Sequence, residues 1–195
     1  MIIRKLFKFE GSHIVRNCTS ERCSQSIHGH SYLVEVFLES TRLDNAGMVM
    51  DFGLMSSFKD IVDMFDHTHL LWDKDDGEYR NFIKRVNQRW IELPCNPSAE
   101  MIAIIFHYIF KRIISATQFR NGEGLITIKA VRVHETATGY AESSWPDVTN
   151  WIGNSSMDDP LNWIEISDEL QTDIWKILTD DCTIINPSVK LQVGR

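Results

Sequence analysis

Cys23-Ser24-Gln25-Ser26-Ile27-His28-Gly29-His30 runs directly into Ser31-Tyr32-Leu33-Val34-Glu35-Val36-Phe37-Leu38, and the reading of the whole chain turns on this stretch. Tyr32, Val34, Val36 and Leu38 alternate with the period of a half-buried strand, which predicts a strand over 28–39. Residues two apart on a strand share a face, so His28 and His30 stand side by side. Gly29 between them leaves room for something to approach the backbone. Two parallel imidazoles suit a borderline metal such as zinc, and a third would leave one coordination position open for chemistry. The competing reading is an exposed or hydrogen-bonded histidine pair.

Upstream, Ile3, Phe7, Phe9 and His13 share a parity against Lys8 and Glu10, predicting a strand over 2–13 that ends with His13 on the core or site side. If this strand pairs with the next one, His13 joins His28 and His30; otherwise it is a strand-end residue bonded to a backbone carbonyl. The polar segment 14–27 reads as a loop that delivers Cys18 and Cys23. Downstream, Asn45-Ala46-Gly47 fits a turn and Met48 to Met50 a short strand ending or hairpin return. Asp51 is a good N-cap for a helix over 52–65, whose stripe is Met55, Phe58, Val62 and Phe65. Asp66-His67-Thr68-His69 follows where that helix ends.

The charged segment 73–89 carries Phe82, Ile83 and Val86 at helical spacing and reads as an inserted short helix, followed by a short extended piece at Trp90 to Leu93. Ser98 caps a second long helix with Glu100 in its first turn and Ile102, Ile105, Phe106, Ile109 and Ile113 on its buried face. A strand from Leu125 to Glu135 places Val131, Val133 and Glu135 on one face, and Tyr140 to Trp145 can form a last strand. After Pro146 the character changes: residues 146–160 are rich in Asp, Asn, Ser and Gly, Asp159-Pro160 can start a helix, and Trp163, Ile166, Leu170, Ile174 and Ile177 make one amphipathic helical stripe to about residue 179. The order implies an α+β fold, an antiparallel sheet with two helices on one face. It is organised as a domain over residues 1–145 with an insert at about 73–92, then a partly helical extension over 146–195.

A length of 195 residues, 43% of them hydrophobic, supports one real core, and a net charge of -7 argues against a broad nucleic-acid or anionic-membrane surface. No apolar run approaches a membrane span, and the opening Met1-Ile2-Ile3-Arg4-Lys5 lacks the apolar segment of a signal peptide. Cys18, Cys23, Cys95 and Cys182 form no CxxC pair and read as reduced thiols, which suits a soluble cytoplasmic protein.

Several residues beyond the histidines carry possible chemistry. Beside a cation, the Cys23 thiolate would be a competent base or nucleophile; the bland alternative is a small buried hydrophobe, and Cys18 competes for any role. Asp66-His67 fits a carboxylate orienting an imidazole, or an ordinary helix-end arrangement. Glu135, on a face otherwise holding Val131 and Val133, must find strong donors, which a ligand's NH groups would supply. His107, inside a helix, reads as packing or surface, and the Trp-rich tail as something buried against the core or a subunit.

In this setting the chain resembles the 6-pyruvoyltetrahydropterin synthase family, and more closely its bacterial branch, the 6-carboxytetrahydropterin synthases of queuosine biosynthesis. The resemblance rests on Phe9-Glu10-Gly11-Ser12-His13, Cys23 leading to His28-Gly29-His30-Ser31-Tyr32, and Gly47-Met48-Val49-Met50-Asp51-Phe52. It continues through Asp66-His67, Asn96-Pro97-Ser98-Ala99-Glu100 and His134-Glu135-Thr136, in family order over residues 1 to about 145. The resemblance implies a tunnelling fold, in which sheets of several identical subunits join into a barrel with sites at subunit interfaces. It implies zinc on His13, His28 and His30, Cys23 as the catalytic cysteine, and Asp66 with His67 as the pair relaying protons with it. Glu135 would anchor the pterin ring through its NH groups, with Glu100 near the pterin pocket. The implied reaction converts 7,8-dihydroneopterin triphosphate to 6-carboxy-5,6,7,8-tetrahydropterin, releasing acetaldehyde and triphosphate. Alternatives are the pyruvoyl branch, whose product is 6-pyruvoyltetrahydropterin, and a catalytically silent zinc- or pterin-binding oligomer. Four residues separate Cys23 from His28, one more than in the carboxy branch and fewer than in the pyruvoyl branch, and Ala99 stands where a hydroxyl residue is usual.

Overall fold

The computed structural model describes residues 1–155 and 157–185. Its elements in chain order are β1 (Ile2–His13), α1 (Glu21–Gln25), β2 (His28–Ser40), α2 (Ser56–Phe65), β3 (Thr68–Trp72), α3 (Gly77–Val86), β4 (Trp90–Leu93) and α4 (Ala99–Ala116). They continue with β5 (Thr117–Gln118), β6 (Ile126–Thr136), β7 (Gly139–Ser143), α5 (Trp145–Ser155), β8 (Glu165–Ile166), α6 (Asp173–Thr179) and β9 (Ile184–Ile185). Seven strands form one sheet in the order β7-β6-β2-β1-β3-β4-β8, and β5 pairs with β9 apart from it.

The centre of the sheet is antiparallel, as the alternation requires. β1 pairs with β2 so that Phe9 faces Tyr32, Gly11 faces His30 and His13 faces His28. β2 pairs in turn with β6, and Val34 meets Val133. One face of this sheet is dry: Phe7, Phe9, Tyr32, Val34, Val36, Leu38, Val131 and Val133 are all buried on it. α2 packs against β1 and α4 against β6 and β7. Phe9 stacks on Tyr32 at 4.5 Å between ring centroids, and Phe65 and Phe106 from the two helices meet at the same separation. The three candidate histidines lie on the core parity of β1 and β2, at the end of the pair where His13 faces His28.

Several sequence expectations are corrected. Met48 to Met50 form no strand, because Asp44 accepts hydrogen bonds from the amides of Ala46 (2.9 Å) and Met48 (2.8 Å) and holds the segment as a turn. The helix expected from 52 opens as a 3-10 turn over Phe52–Met55, capped by Asp51 on the Gly53 amide, before α2 begins at Ser56. Thr68-His69-Leu70-Leu71-Trp72 is a strand running parallel to β1, so the sheet is mixed rather than antiparallel throughout. Its first four residues are all buried and leave no period-2 signature to read. On α3 only Ile83 is buried; Phe82 and Val86 point to solvent.

The extension differs most. The last strand stops at Ser143, and α5 follows, opened by Ser144, whose amide and hydroxyl both donate to Asp147 Oδ2, with Pro146 in the first turn; Asp159-Pro160 starts a short 3-10 turn over Pro160–Trp163. The expected single helix through Trp163 and Ile177 is broken into two 3-10 turns, β8 and α6. β8 pairs with the otherwise open edge of β4, where Lys84 bridges Glu92 and Glu165 across the strands at 3.1 and 2.8 Å. Edge amides of β4 compete successfully with helix formation there. Ser156 and residues 186–195 of the extension lie outside the described residues. Among the described residues no helix is long and apolar enough to cross a membrane.

Candidate metal centre and its surroundings

His13, His28 and His30 converge, with one ligand nitrogen from each lying within 4.8 Å of the others. The β1–β2 register brings them together, and the approach is close: a Cβ on Gly29 would sit 2.9 Å from the Gly11 carbonyl oxygen. The space that Gly29 provides is thus taken by the neighbouring strand.

Two of the rings are held by their Nδ1 atoms. His13 Nδ1 donates to the Pro97 carbonyl at 2.6 Å and His28 Nδ1 to the Ser26 carbonyl at 2.9 Å. A proton on Nδ1 leaves Nε2 as the free lone pair, the tautomer that a metal requires. His30 Nε2 is buried with no hydrogen-bond partner among the described residues. An orphaned buried nitrogen beside two oriented imidazoles fits a cation of borderline softness such as zinc. His13 is fully buried, and burial, against the Pro97 bond, pulls its pKa down to about 4. His30 is lowered too, chiefly by burial, with Glu135 opposing. Both rings are therefore neutral at pH 7 and competent as ligands.

Glu135 reaches the rim of this cluster, its Oε1 lying 3.6 Å from His13 Nε2 and 3.8 Å from His30 Nε2. The Val131 and Val133 parity carries it there. Its carboxylate can offer an oxygen to a cation or to the NH groups of a molecule seated beside it. Asp66 and His67 do form a pair, Oδ2 to Nδ1 at 2.9 Å, with Asp66 also accepting from the Glu10 amide at 2.8 Å. These donors, against the burial of the group, hold the Asp66 carboxyl below its usual range. His67 sits at φ 55 and is largely exposed; it borders, with His30, Glu10 and Ser31, a cavity of about 400 Å³. A larger cavity of about 740 Å³ near Leu125 and Trp145 contains none of the candidate residues.

Cys23 lies on α1, half-buried, and Cys18 donates its thiol to the Ser20 carbonyl at 3.2 Å. Among the described residues no hydrogen bond joins Cys23 to Asp66 or His67 within one chain, nor does one engage Glu100, which is exposed on the first turn of α4. His107 is buried packing, bonded to the Ser143 carbonyl at 3.0 Å.

Sequence reading missed the supports of this site. Pro97, read only as part of a helix start, orients His13, and the Tyr32 hydroxyl lies 3.3 Å from both nitrogens of the same ring. His69 is held between the Ser12 hydroxyl and Tyr79, at 2.7 Å from each. Burial, opposed by Asp75, depresses the His69 pKa to about 4. The unfolded chain takes up the His69 proton near pH 6.5, whereas the folded chain resists it until about 4. Between these values the unfolded state binds more protons, so stability is full above about 6.5 and falls as pH drops toward 4. Urea unfolding of the metal-free protein should show a loss of up to ~1.4 kcal/mol per pH unit from each such histidine, and His69→Gln should remove one share of that slope. Equal slopes in the two proteins would contradict this account of His69.

Three imidazoles converging beside a carboxylate mark the chain as a candidate metal-dependent enzyme. A family model described as 6-pyruvoyl tetrahydropterin synthase matches residues 2–144, and the chain belongs to that family. It is 48% identical over 151 residues to a 6-carboxy-5,6,7,8-tetrahydropterin synthase from Helicobacter pylori, covering 77% of this chain and 76% of that one. The fold matches an uncharacterized protein from Wolinella succinogenes (TM-score 0.61, 21% identity, 74% of this chain and 97% of that one). It also matches a 6-pyruvoyl tetrahydropterin synthase from Caenorhabditis elegans (TM-score 0.51, 21% identity, 74% and 94%). The chain is accordingly an enzyme of the lyase class, and the expected resemblance, including its carboxy branch, is borne out.

Proposed function

We propose that this enzyme converts 7,8-dihydroneopterin triphosphate to 6-carboxy-5,6,7,8-tetrahydropterin with release of acetaldehyde and triphosphate, in queuosine and related 7-deazapurine biosynthesis. The observation that carries the proposal is the three-histidine cluster with the Nδ1 atoms of His13 and His28 already committed to backbone carbonyls. Zinc held by His13, His28 and His30 would supply Lewis acidity toward the side-chain oxygens of the substrate. Cys23 moves a proton at the side-chain carbons, while the His67 imidazole, oriented through Nδ1 by Asp66, acts as the complementary acid and base. Glu135 accepts from pterin NH groups, which keeps the ring against the cluster, and Glu100 stands near the pterin pocket.

Because no hydrogen bond joins Cys23 to the Asp66–His67 pair among the described residues, the proposal includes a homo-oligomeric tunnelling-fold barrel with α2 and α4 as its outer layer. A second copy would complete each site. The matched span 2–144 supports residues 1–145 as the synthase domain, with the 73–92 insert inside it and 146–195 as an extension. Four free thiols favour a cytoplasmic location.

The test is zinc-loaded protein incubated with 7,8-dihydroneopterin triphosphate. Acetaldehyde and triphosphate should appear in equal amounts with the carboxylated pterin. Triphosphate without acetaldehyde would move the enzyme to the pyruvoyl branch, and an untouched substrate would defeat both enzymatic readings.

A further inference from the structure

α1, the helix that carries Cys23, cannot hold itself in place. It is five residues long, none of them is buried, and its N-cap Ser20 makes no side-chain cap bond. What ties it down is polar and comes from outside. The Val15 amide donates to the Cys23 carbonyl at 2.9 Å, and Arg16 Nη1 donates to the Ser24 carbonyl at 3.1 Å. The Arg16 backbone is itself gripped on both sides by the Asn96 side chain, at 3.0 and 2.5 Å.

The Arg16 guanidinium is fixed by the segment that precedes α3. Asp75 Oδ1 accepts from Arg16 Nε at 2.7 Å, and Asp75 Oδ2 accepts from the Trp72 amide at 3.0 Å. The Asp75 side chain is only 2% exposed, a burial tolerable for a carboxylate because both oxygens are engaged. The guanidinium also lies over the Tyr79 ring, 5.2 Å from its centroid. A planar fork suits this task, since Nε meets the carboxylate while Nη1 reaches the Ser24 carbonyl; a lysine ammonium has no such spread.

We propose that Asp75 and Arg16 are positioning residues for Cys23, the 73–92 insert acting as a clamp that sets the thiol for its proton transfer. The proposal rests on the reading of Cys23 as the proton-moving group. It gives the insert a role in the reaction that requires no contact with substrate. Misplacement of a reacting group by about 1 Å can cost on the order of 10²-fold in rate, so loosening α1 should act on kcat.

The experiment uses zinc-loaded, full-length Asp75→Asn and Arg16→Lys. In both, kcat should fall roughly 10- to 100-fold with KM changed much less and zinc content unchanged, and the Val15 amide should exchange with deuterium at least about 10-fold faster. Asp75→Glu, which keeps the charge, should recover part of kcat. Wild-type kcat and wild-type Val15 exchange in Arg16→Lys would overturn the clamp. If Asp75→Asn fails to fold, Arg16→Lys decides alone, because it keeps the charge beside Asp75. The reading of Cys23 is tested separately: normal turnover in Cys23→Ala would remove the catalytic consequence of the clamp, while Val15 exchange would still show whether the clamp holds α1.

Discussion

His28→Ala is expected to reduce bound zinc from about one ion per chain to a small fraction at micromolar metal, with affinity falling by more than about 10²-fold. The reasoning is geometric. Only three imidazoles converge among the described residues, and two ligands hold zinc far less firmly than three. His28 is half-exposed at the start of β2 and bonds to a local carbonyl, so its removal should change the stability of the metal-free fold by no more than about 1 kcal/mol. His13→Ala is a poorer test, because it empties a fully buried position and strands the Pro97 carbonyl and the Tyr32 hydroxyl. Elemental analysis of His28→Ala against wild type reads the result. Undiminished zinc in the variant would sink the ligand assignment.

Cys23→Ala should lower turnover by about 10²- to 10⁴-fold, the range for loss of one positioned proton-transfer group, while zinc content and folding remain as in wild type. Cys18 is the control. Its thiol is already committed to the Ser20 carbonyl, and Cys18→Ala should turn over within about threefold of wild type. Single-turnover kinetics of the two variants separate the roles, and a collapse in Cys18→Ala with normal Cys23→Ala would reverse the assignment. Cys95 is not a competitor, since burial pushes its thiol well up and encloses it in the core.

The central strands were legible because each has one wet and one dry face, so Phe7, Phe9, Tyr32, Val34, Val131 and Val133 announce their side by alternation. The same parity put His13, His28, His30 and Glu135 on one face before any register was known. β3 was not legible, since a short strand buried on both sides lacks that alternation. In the extension, Trp163 and Ile166 matched a helical stripe, yet the open edge of β4 offered pairing partners that no local pattern records.

Asp75 and Asn96 were invisible as supports for a further reason. They lie 59 and 80 residues from Arg16, and neither has a residue type that marks a partner so distant. The sequence by itself determined the elements whose signal is local: the strand parity, the capped helices and the chemistry of the side chains on each face. Only the tertiary structure decided which of those side chains meet. The β1–β2 register closes three imidazoles on one point, Pro97 sets the His13 tautomer, and an insert reaches back to hold the Cys23 helix. Convergence of this kind depends on pairings between distant segments, which hydrophobic periodicity along the chain does not encode.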